Sequence, residues 1–382
     1  MAISLLDSVV EPTVARLGES TSLGLTGLLV GVAFGFLAQR SRFCLRSAVL
    51  EFARNLTGGK LTVWLFAFAT AVLATQALAW AGWFDARDAR LIAARGSLSG
   101  AAIGGAMFGI GMILARGCSS RLLVLAAQGN LRSLMSGLVF AVAAQAAWTG
   151  MLAPVREIIS SWWTVDGGTA RDLIERTGIG HGGALLFGAV WLAAAIVWAR
   201  RQRVETWAWA GAVGVGLTIA AAWWMTYAIS KVSFDPHPVQ SLSFTGPSAD
   251  VLSRVLFASD KPATFDLGLV PGVFLGAFLA AALFGELKLE GFQGGASMRR
   301  YIIGAMCMGF GGMLAGGCAV GAGLSGTAVF TITAYVTLTA MWVAAAITDR
   351  VLDQHPTGVL DQPMPGSNGA APSAMPVTSS FR

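Results

Sequence analysis

Residues 103–118 read IGGAMFGIGMILARGC, and residues 303–318 read IGAMCMGFGGMLAGGC. The runs lie 200 positions apart and agree at eight of sixteen places: Ile103/Ile303, Gly104/Gly304, Gly109/Gly309, Gly111/Gly311, Leu114/Leu314, Ala115/Ala315, Gly117/Gly317 and Cys118/Cys318. Each is apolar and glycine-rich, and each ends at Gly-Cys. In a membrane protein, short glycine-interrupted hydrophobic segments at matching places in two halves point to a transport site between them. The chain therefore reads as a duplicated pore with one thiol from each half.

Composition agrees. The sequence is 55% hydrophobic and 12% charged, with mean hydropathy +0.66. Several runs reach the roughly 20 apolar residues that cross a bilayer. Spans are expected near 21–39, 61–83, 131–153, 181–199, 206–230, 269–286 and 328–348, with shorter glycine-rich pieces at 98–116 and 300–316. The fold class is an all-α integral membrane protein of about nine transmembrane helices plus short helices, in two pseudo-symmetric halves. The halves are about 20–155 and 180–350 of one transmembrane domain, 21–350. Residues 1–20 form an N-terminal segment without the features of a signal peptide. Residues 351–382, poor in large apolar side chains, are expected to be a disordered tail. Paired tryptophans (Trp80/Trp83, Trp162/Trp163, Trp207/Trp209, Trp223/Trp224) are expected at helix ends, at headgroup level.

The net charge of +6 is an orientation signal and implies no nucleic acid. Arg40, Arg42, Arg46, Arg54 and Lys60 follow the first span. Arg200, Arg201 and Arg203 follow another, and Lys288, Arg299 and Arg300 precede the second repeat. The positive-inside tendency makes these segments cytoplasmic, with the N-terminus periplasmic, the C-terminus cytoplasmic and the 231–268 loop external.

The repeat recurs more weakly at Cys44, where Gly31-x-x-x-Gly35 superposes on Gly105-x-x-x-Gly109. Three segments thus share one plan: a glycine-bearing helix, a break, a cysteine and a short helix, the last near 45–55, 119–128 and 319–328. A fourth element, if present, falls at 183–200 with Val197 in the cysteine position.

A break inside the hydrocarbon is tolerated only where the freed backbone faces protein or a water path. Each cysteine opens the next helix, whose first amides form an anion site. Arg116, Gly117, Ser119, Ser120 and Arg121 surround Cys118, and Gly317 precedes Cys318. Ionisable groups at this depth are expensive and functional, and their sign favours an anion. A thiol is a weak donor and acceptor. It suits a soft sulfur partner and a site that must let its ligand go. Glu51 is the carboxylate nearest a thiol in sequence and is expected to pair with an arginine. Cys307 aligns with Met107 and reads as packing. His181, His237 and His355 lack a second ligand at metal spacing, so no metal or cofactor is implied.

RSRFC at 40–44, ARGCSS at 115–120 and AGGCAVGAGLSG at 315–326 resemble the cysteine motifs of the YeeE/YedE family of sulfur transporters, over about residues 20–350. The resemblance implies an hourglass-like inner-membrane protein in which thiosulfate passes between cysteines by transient S–H···S hydrogen bonds. Cys118 and Cys318 match the central pair and Cys44 the third cysteine. A small TusA-like sulfur carrier on the cytoplasmic side is the implied partner. The chain departs from the pattern at one place. Where relatives carry Gly-Cys-Thr/Ala-Ser-Gly, it has Gly117-Cys118-Ser119-Ser120-Arg121.

Uptake of thiosulfate or a similar sulfur anion, without enzymatic activity, is the leading expectation, and no nucleotide-binding motif is present. The alternatives are a membrane sulfurtransferase or thiol oxidoreductase acting covalently through the same cysteines, and a thiolate-based metal permease.

Overall fold

Lipid offers no hydrogen bonds to a backbone, so a spanning chain must satisfy its amides and carbonyls internally, and the helix does this locally. The computed structural model describes residues 11–56, 58–235, 237–257, 262–291 and 295–352. It is an α-helical bundle of α1 (Glu19–Ser41), α2 (Leu45–Ala53), α3 (Lys60–Trp80), α4 (Leu98–Leu114), α5 (Ser119–Ala127), α6 (Leu131–Trp148), α7 (Ala153–Ser161), α8 (Gly180–Gln202), α9 (Thr206–Val232), α10 (Thr245–Phe257), α11 (Phe265–Leu283), α12 (Gly295–Leu314) and α13 (Ile332–Leu352). One two-residue pairing joins β1 (Gly96–Ser97) to β2 (Thr164–Val165). Among the described residues, eight helical stretches are long and apolar enough to cross a membrane, with α1–α2 and α4–α5 each counting as one. α12, with Arg299 and Arg300 near its start, is a further long helix of the bundle. The expected disordered tail lies outside the described residues, apart from 351–352.

Small residues bring the helices together, as they must where lipid supplies no hydrophobic drive between them. α1 and α11 touch backbone to backbone. A Cβ on Gly276 would stand 2.0 Å from the Val32 carbonyl, and one on Gly268 1.9 Å from that of Gly24. The duplicated motif packs on itself. A Cβ on Gly104 would meet the Gly311 carbonyl at 2.5 Å, and one on Gly304 the Gly111 carbonyl at 2.7 Å. The reverse contacts, Gly111 on Gly304 and Gly311 on Gly104, are equally close. Gly109 then packs on Met341 of α13, and its repeat partner Gly309 on Phe140 of α6. α4 and α12 therefore cross at matching places, which is the mark of a pseudo-two-fold relation.

Two faces follow from the connections. Arg54 pairs with Asp349, Gly59 abuts Val204, and the Lys288 amide donates to the Gln128 carbonyl at 3.1 Å. These contacts gather the basic segments at one end, here the basic face. At the other, the loop face, the Phe234 amide donates to Glu19 (2.9 Å) and His237 lies 3.2 Å from it. α1 begins at the loop face and α13 ends at the basic face.

Several expectations change. Residues 183–200 hold no break. α8 runs unbroken through Val197 and turns left-handed only at Arg203, past its end. After Cys318 the chain forms a π-helical stretch, Gly321–Gly326, in place of an α-helix. Three glycines in GAGLSG leave the α-form little intrinsic preference. Trp223 is fully buried, its Nε1 donating to the Ser325 carbonyl at 3.2 Å. Trp80, Trp162, Trp163 and Trp207 are exposed, as expected of interfacial indoles. The polar stretch between the halves carries a buried Arg171, which donates to the Ala94 carbonyl (2.6 Å) and to Thr333 Oγ1 (2.7 Å). Glu51, expected beside an arginine, takes part in a helix cap. Its Oε2 accepts from the Lys60 amide at 2.8 Å and so caps α3.

The α1–α11 contact can be tested directly. Gly268→Val forces a side chain into the Gly24 carbonyl, where even mild overpacking costs about 1–3 kcal/mol. Thermal unfolding in detergent should show a lower midpoint and loss of the monodisperse peak. Gly137→Ala, with open space around that position, should leave both unchanged.

Candidate transport pathway

The three cysteine-bearing breaks share one backbone geometry. Two residues before each cysteine the chain turns left-handed, at Arg42 (φ 53°), Arg116 (φ 55°) and Gly316 (φ 76°). The amide one residue before the cysteine then closes on the carbonyl five residues back: Phe43 on Ala38 (3.1 Å), Gly117 on Met112 (3.1 Å) and Gly317 on Gly312 (2.9 Å). This Schellman closure satisfies the end of the first helix. Each cysteine carbonyl accepts the first bond of the next segment, from Ala48 (3.2 Å), Leu122 (2.9 Å) and Ala322 (2.8 Å). Cys318 Sγ accepts from the amide three residues on, that of Gly321, at 3.4 Å, whereas Cys44 and Cys118 hold the N-cap positions of α2 and α5 without a side-chain cap hydrogen bond. The thiols thus stand where Ser, Thr, Asp or Asn normally cap a helix.

All three are buried: Cys44 is 7% exposed, Cys118 and Cys318 0%. Cys44 is the thiol near enough to Cys118 to interact with it. Cys118 Sγ also lies 3.4 Å from Ser120 Oγ. Cys318 Sγ accepts a second amide, that of Phe244, at 3.3 Å. Phe244 is reached by a strand-like segment dipping inward from the loop face. Ser325 Oγ donates to the Leu242 carbonyl (2.7 Å), and Ser241 Oγ to that of Ile219 (2.8 Å). The Phe244 carbonyl accepts from the Ser248 amide, so Phe244 precedes α10 as the cysteines precede their segments. Its ring packs on Phe34 at 5.4 Å between centroids, beside a fully buried Phe108. These rings and thiols close the centre.

Cavities flank this waist. α11, about 28 Å long at 1.5 Å per residue, runs from one to the other. Near its start, Asp266 lines a loop-face cavity of about 360 Å³ with Arg90, Arg156, Ser243, Thr245 and Gly317. Past its end, Phe284 and Glu286 line a basic-face cavity of about 600 Å³ with Arg40, Arg42, Arg121 and Lys288. The Cys118 break therefore leads by Arg121 to one cavity, and the Cys318 break by Gly317 to the other.

Residues 40–347 match the family described as "Sulphur transport". The chain belongs to that family. It is 25% identical over 345 residues to the protein named thiosulfate transporter TsuA of Escherichia coli, covering 85% of this chain and 94% of that one. It is 27% identical over 325 residues to the protein of the same name from Spirochaeta thermophila, covering 81% and 93%. The match spans all three breaks, and the chain is a transporter rather than an enzyme.

Around the Cys118 break, Ser120 touches Cys118, while Ser119 is buried with no hydrogen-bond partner for its Oγ among the described residues. Arg121 lines the basic-face cavity. Arg116 is half-buried and lines neither cavity; the backbone gives it a definite part, as the left-handed residue of its break. Cys307 is half-buried in α12, away from the breaks. Sequence reasoning missed Phe244, Thr245 and Glu286. Phe244 and Thr245 fall in the 231–268 segment that reads only as an external loop, and nothing local marks Glu286 as the carboxylate that meets Arg40 (3.6 Å) and Arg42 (3.9 Å).

A left-handed non-glycine residue costs about 1–2 kcal/mol, and the equivalent position in the second half is glycine. Arg116→Gly should raise the thermal midpoint or leave it unchanged, and keep most of the sulfur-anion uptake in proteoliposomes. Lost uptake with intact folding would put the Arg116 guanidinium in the path.

Proposed function

We propose that the chain takes up thiosulfate across the inner membrane, handing it between Cys318 and the Cys44–Cys118 pair through transient S–H···S hydrogen bonds. The observation that carries this reading is the shared geometry of the three breaks, each of which turns left-handed and then opens the next segment on a buried cysteine. In the Cys318 break two backbone amides donate to the sulfur, which leaves its S–H to donate outward. A neutral thiol bonds weakly, so the anion is bound loosely enough to move on. The names of the two relatives support thiosulfate as the cargo.

Direction follows from charge. The basic face carries Arg54, Lys60, Arg200, Arg201, Arg203, Lys288 and Arg350, and the positive-inside tendency makes it cytoplasmic. The N-terminal end is then periplasmic. Thiosulfate would collect in the arginine-lined loop-face cavity and leave through the larger one. A small TusA-like sulfur carrier is the proposed recipient there.

The Cys44–Cys118 proximity favours one competing mechanism, a covalent relay. A Cys118 thiolate would attack the outer sulfur of thiosulfate, form a persulfide and release sulfite, with Cys44 as the resolving thiol. A cation permease is disfavoured by the arginines in both cavities. Among the described residues, no group of three or more His, Cys, Asp or Glu is placed to hold a metal ion.

The test is growth of a sulfur-auxotrophic strain on thiosulfate, with radiolabelled uptake by the purified protein in liposomes. Cys44→Ala, Cys118→Ala and Cys318→Ala should each lower uptake about ten-fold or more, the worth of one lost hydrogen bond near the upper end of its range. Cys307→Ala should leave it unchanged. Equal loss in all four would refute the assignment of the breaks. Cys118→Ser should retain part of the uptake, because serine still donates a hydrogen bond. Complete loss in that variant, together with a persulfide trapped on the wild type, would establish the covalent route instead.

A further inference from the structure

We infer that Arg121 and Ser119 form a sulfonate subsite beside the Cys44–Cys118 pair, so that a thiosulfonate-type anion is held at both ends at once. Its terminal sulfur meets the thiols and its SO3 group meets the guanidinium. The inference rests on the reading that the chain carries such an anion.

Four observations converge. Arg121 is the third residue of α5 and lines the basic-face cavity. Its Nη1 is buried with no hydrogen-bond partner among the described residues, and no salt bridge to a carboxylate neutralises it. A guanidinium in such a place is expensive unless something pairs with it. The nearby carboxylate is already engaged, since Glu286 accepts from Gln39 Nε2 at 2.7 Å and meets Arg40 and Arg42.

Ser119 supplies the second group. The residue is 6% exposed, and its Oγ also lacks a partner. It is the first residue of α5, where free amides point toward an anion. Finally, Arg121 lies within electrostatic range of both Cys44 and Cys118. Two unpartnered buried donors and two thiols thus gather around one helix start. The planar fork of arginine suits the oxygens of an SO3 group as it suits phosphate.

The arrangement has a selective consequence. Sulfate offers oxygens but no soft sulfur to the thiols, whereas sulfide offers sulfur but nothing to the guanidinium. Neither can satisfy both ends of the site. The second half of the protein cannot build a copy. Gly321 stands where Arg121 stands in the first, and a Cβ there would lie 2.5 Å from Ser243 Oγ.

The experiment measures thiosulfate uptake and, separately, thiosulfate binding to detergent-solubilised protein by calorimetry, with sulfate and sulfide as competitors. Arg121→Gln should raise both KM and Kd about ten- to hundred-fold, the loss of a charge-assisted bond, with Vmax preserved. Arg121→Lys should recover part of the affinity, and Ser119→Ala should weaken binding several-fold. Sulfide, which uses only the thiols, should compete better relative to thiosulfate in Arg121→Gln than in the wild type, and sulfate should not. Unchanged KM and Kd in folded Arg121→Gln would overturn the subsite and leave the transport reading standing. If that variant does not fold, Ser119→Ala decides, and its unchanged affinity overturns the subsite. Failure of the wild type to bind or carry thiosulfate would overturn the transport reading itself.

Discussion

The structure depends on how a helix can stop inside an apolar interior. Three times the chain ends a helix far from water, and each time it must satisfy carbonyls on one side of the break and amides on the other. A left-handed residue turns the chain so that the next amide closes backward. The cysteine that follows starts the next segment with its own carbonyl, and Cys318 also turns its sulfur to that segment's third amide. The position of each cysteine is therefore a consequence of backbone geometry. A thiol placed in this way is pre-oriented, which lowers the ordering a ligand must supply on binding.

The close helix contacts hold these breaks at the centre. Gly104 and Gly111 interlock with Gly311 and Gly304, which sets the Cys118 and Cys318 breaks on either side of one crossing. The halves then diverge. In the first, the space beside the third residue after the cysteine is taken by the Arg121 side chain. In the second, the corresponding space is taken by Ser243, on the inward-dipping segment before α10. The glycine at 321 looks like spare room in the sequence. In the fold that room is occupied by another piece of backbone, which also supplies the second amide to Cys318.

What the sequence made legible was local or periodic. Long apolar runs predict spans because bilayer thickness fixes their length. The shared Gly-Cys pattern predicts the breaks because helix closure is a matter of a few consecutive residues. The fate of Val197 and of Trp223 was not legible, since the first depends on where the chain turns left-handed and the second on which helix lies beside α9. Nor could the chain order reveal that Cys118 lies near Cys44, or that residues 239–244 reach the waist. Such contacts join positions 74 residues apart, as between Phe244 and Cys318. Glu51 illustrates the same limit. Its neighbours in sequence include arginines, yet the fold gives it the free amide at the start of α3.

Why cysteine should serve as the cap in all three breaks follows from the competing demands on that atom. Serine would cap more tightly, because a hydroxyl oxygen is a stronger acceptor and makes a shorter bond to the third amide. It would also present a hard oxygen to the ligand. At Cys318 the sulfur satisfies the amide at about 3.4 Å while keeping a weak, polarisable donor for a soft partner. The same weakness suits passage. With Cys118 and Cys318 wholly buried and the Phe34 and Phe244 rings in contact, this conformation is closed at its waist. Under the proposed relay the rings must part for each anion, and only a ligand with a favourable interaction in the parted state can shift that equilibrium. A thiol donor on the Cys318 side and two thiols with a guanidinium on the other supply such an interaction in sequence. The weaker end then faces the incoming anion and the stronger end receives it.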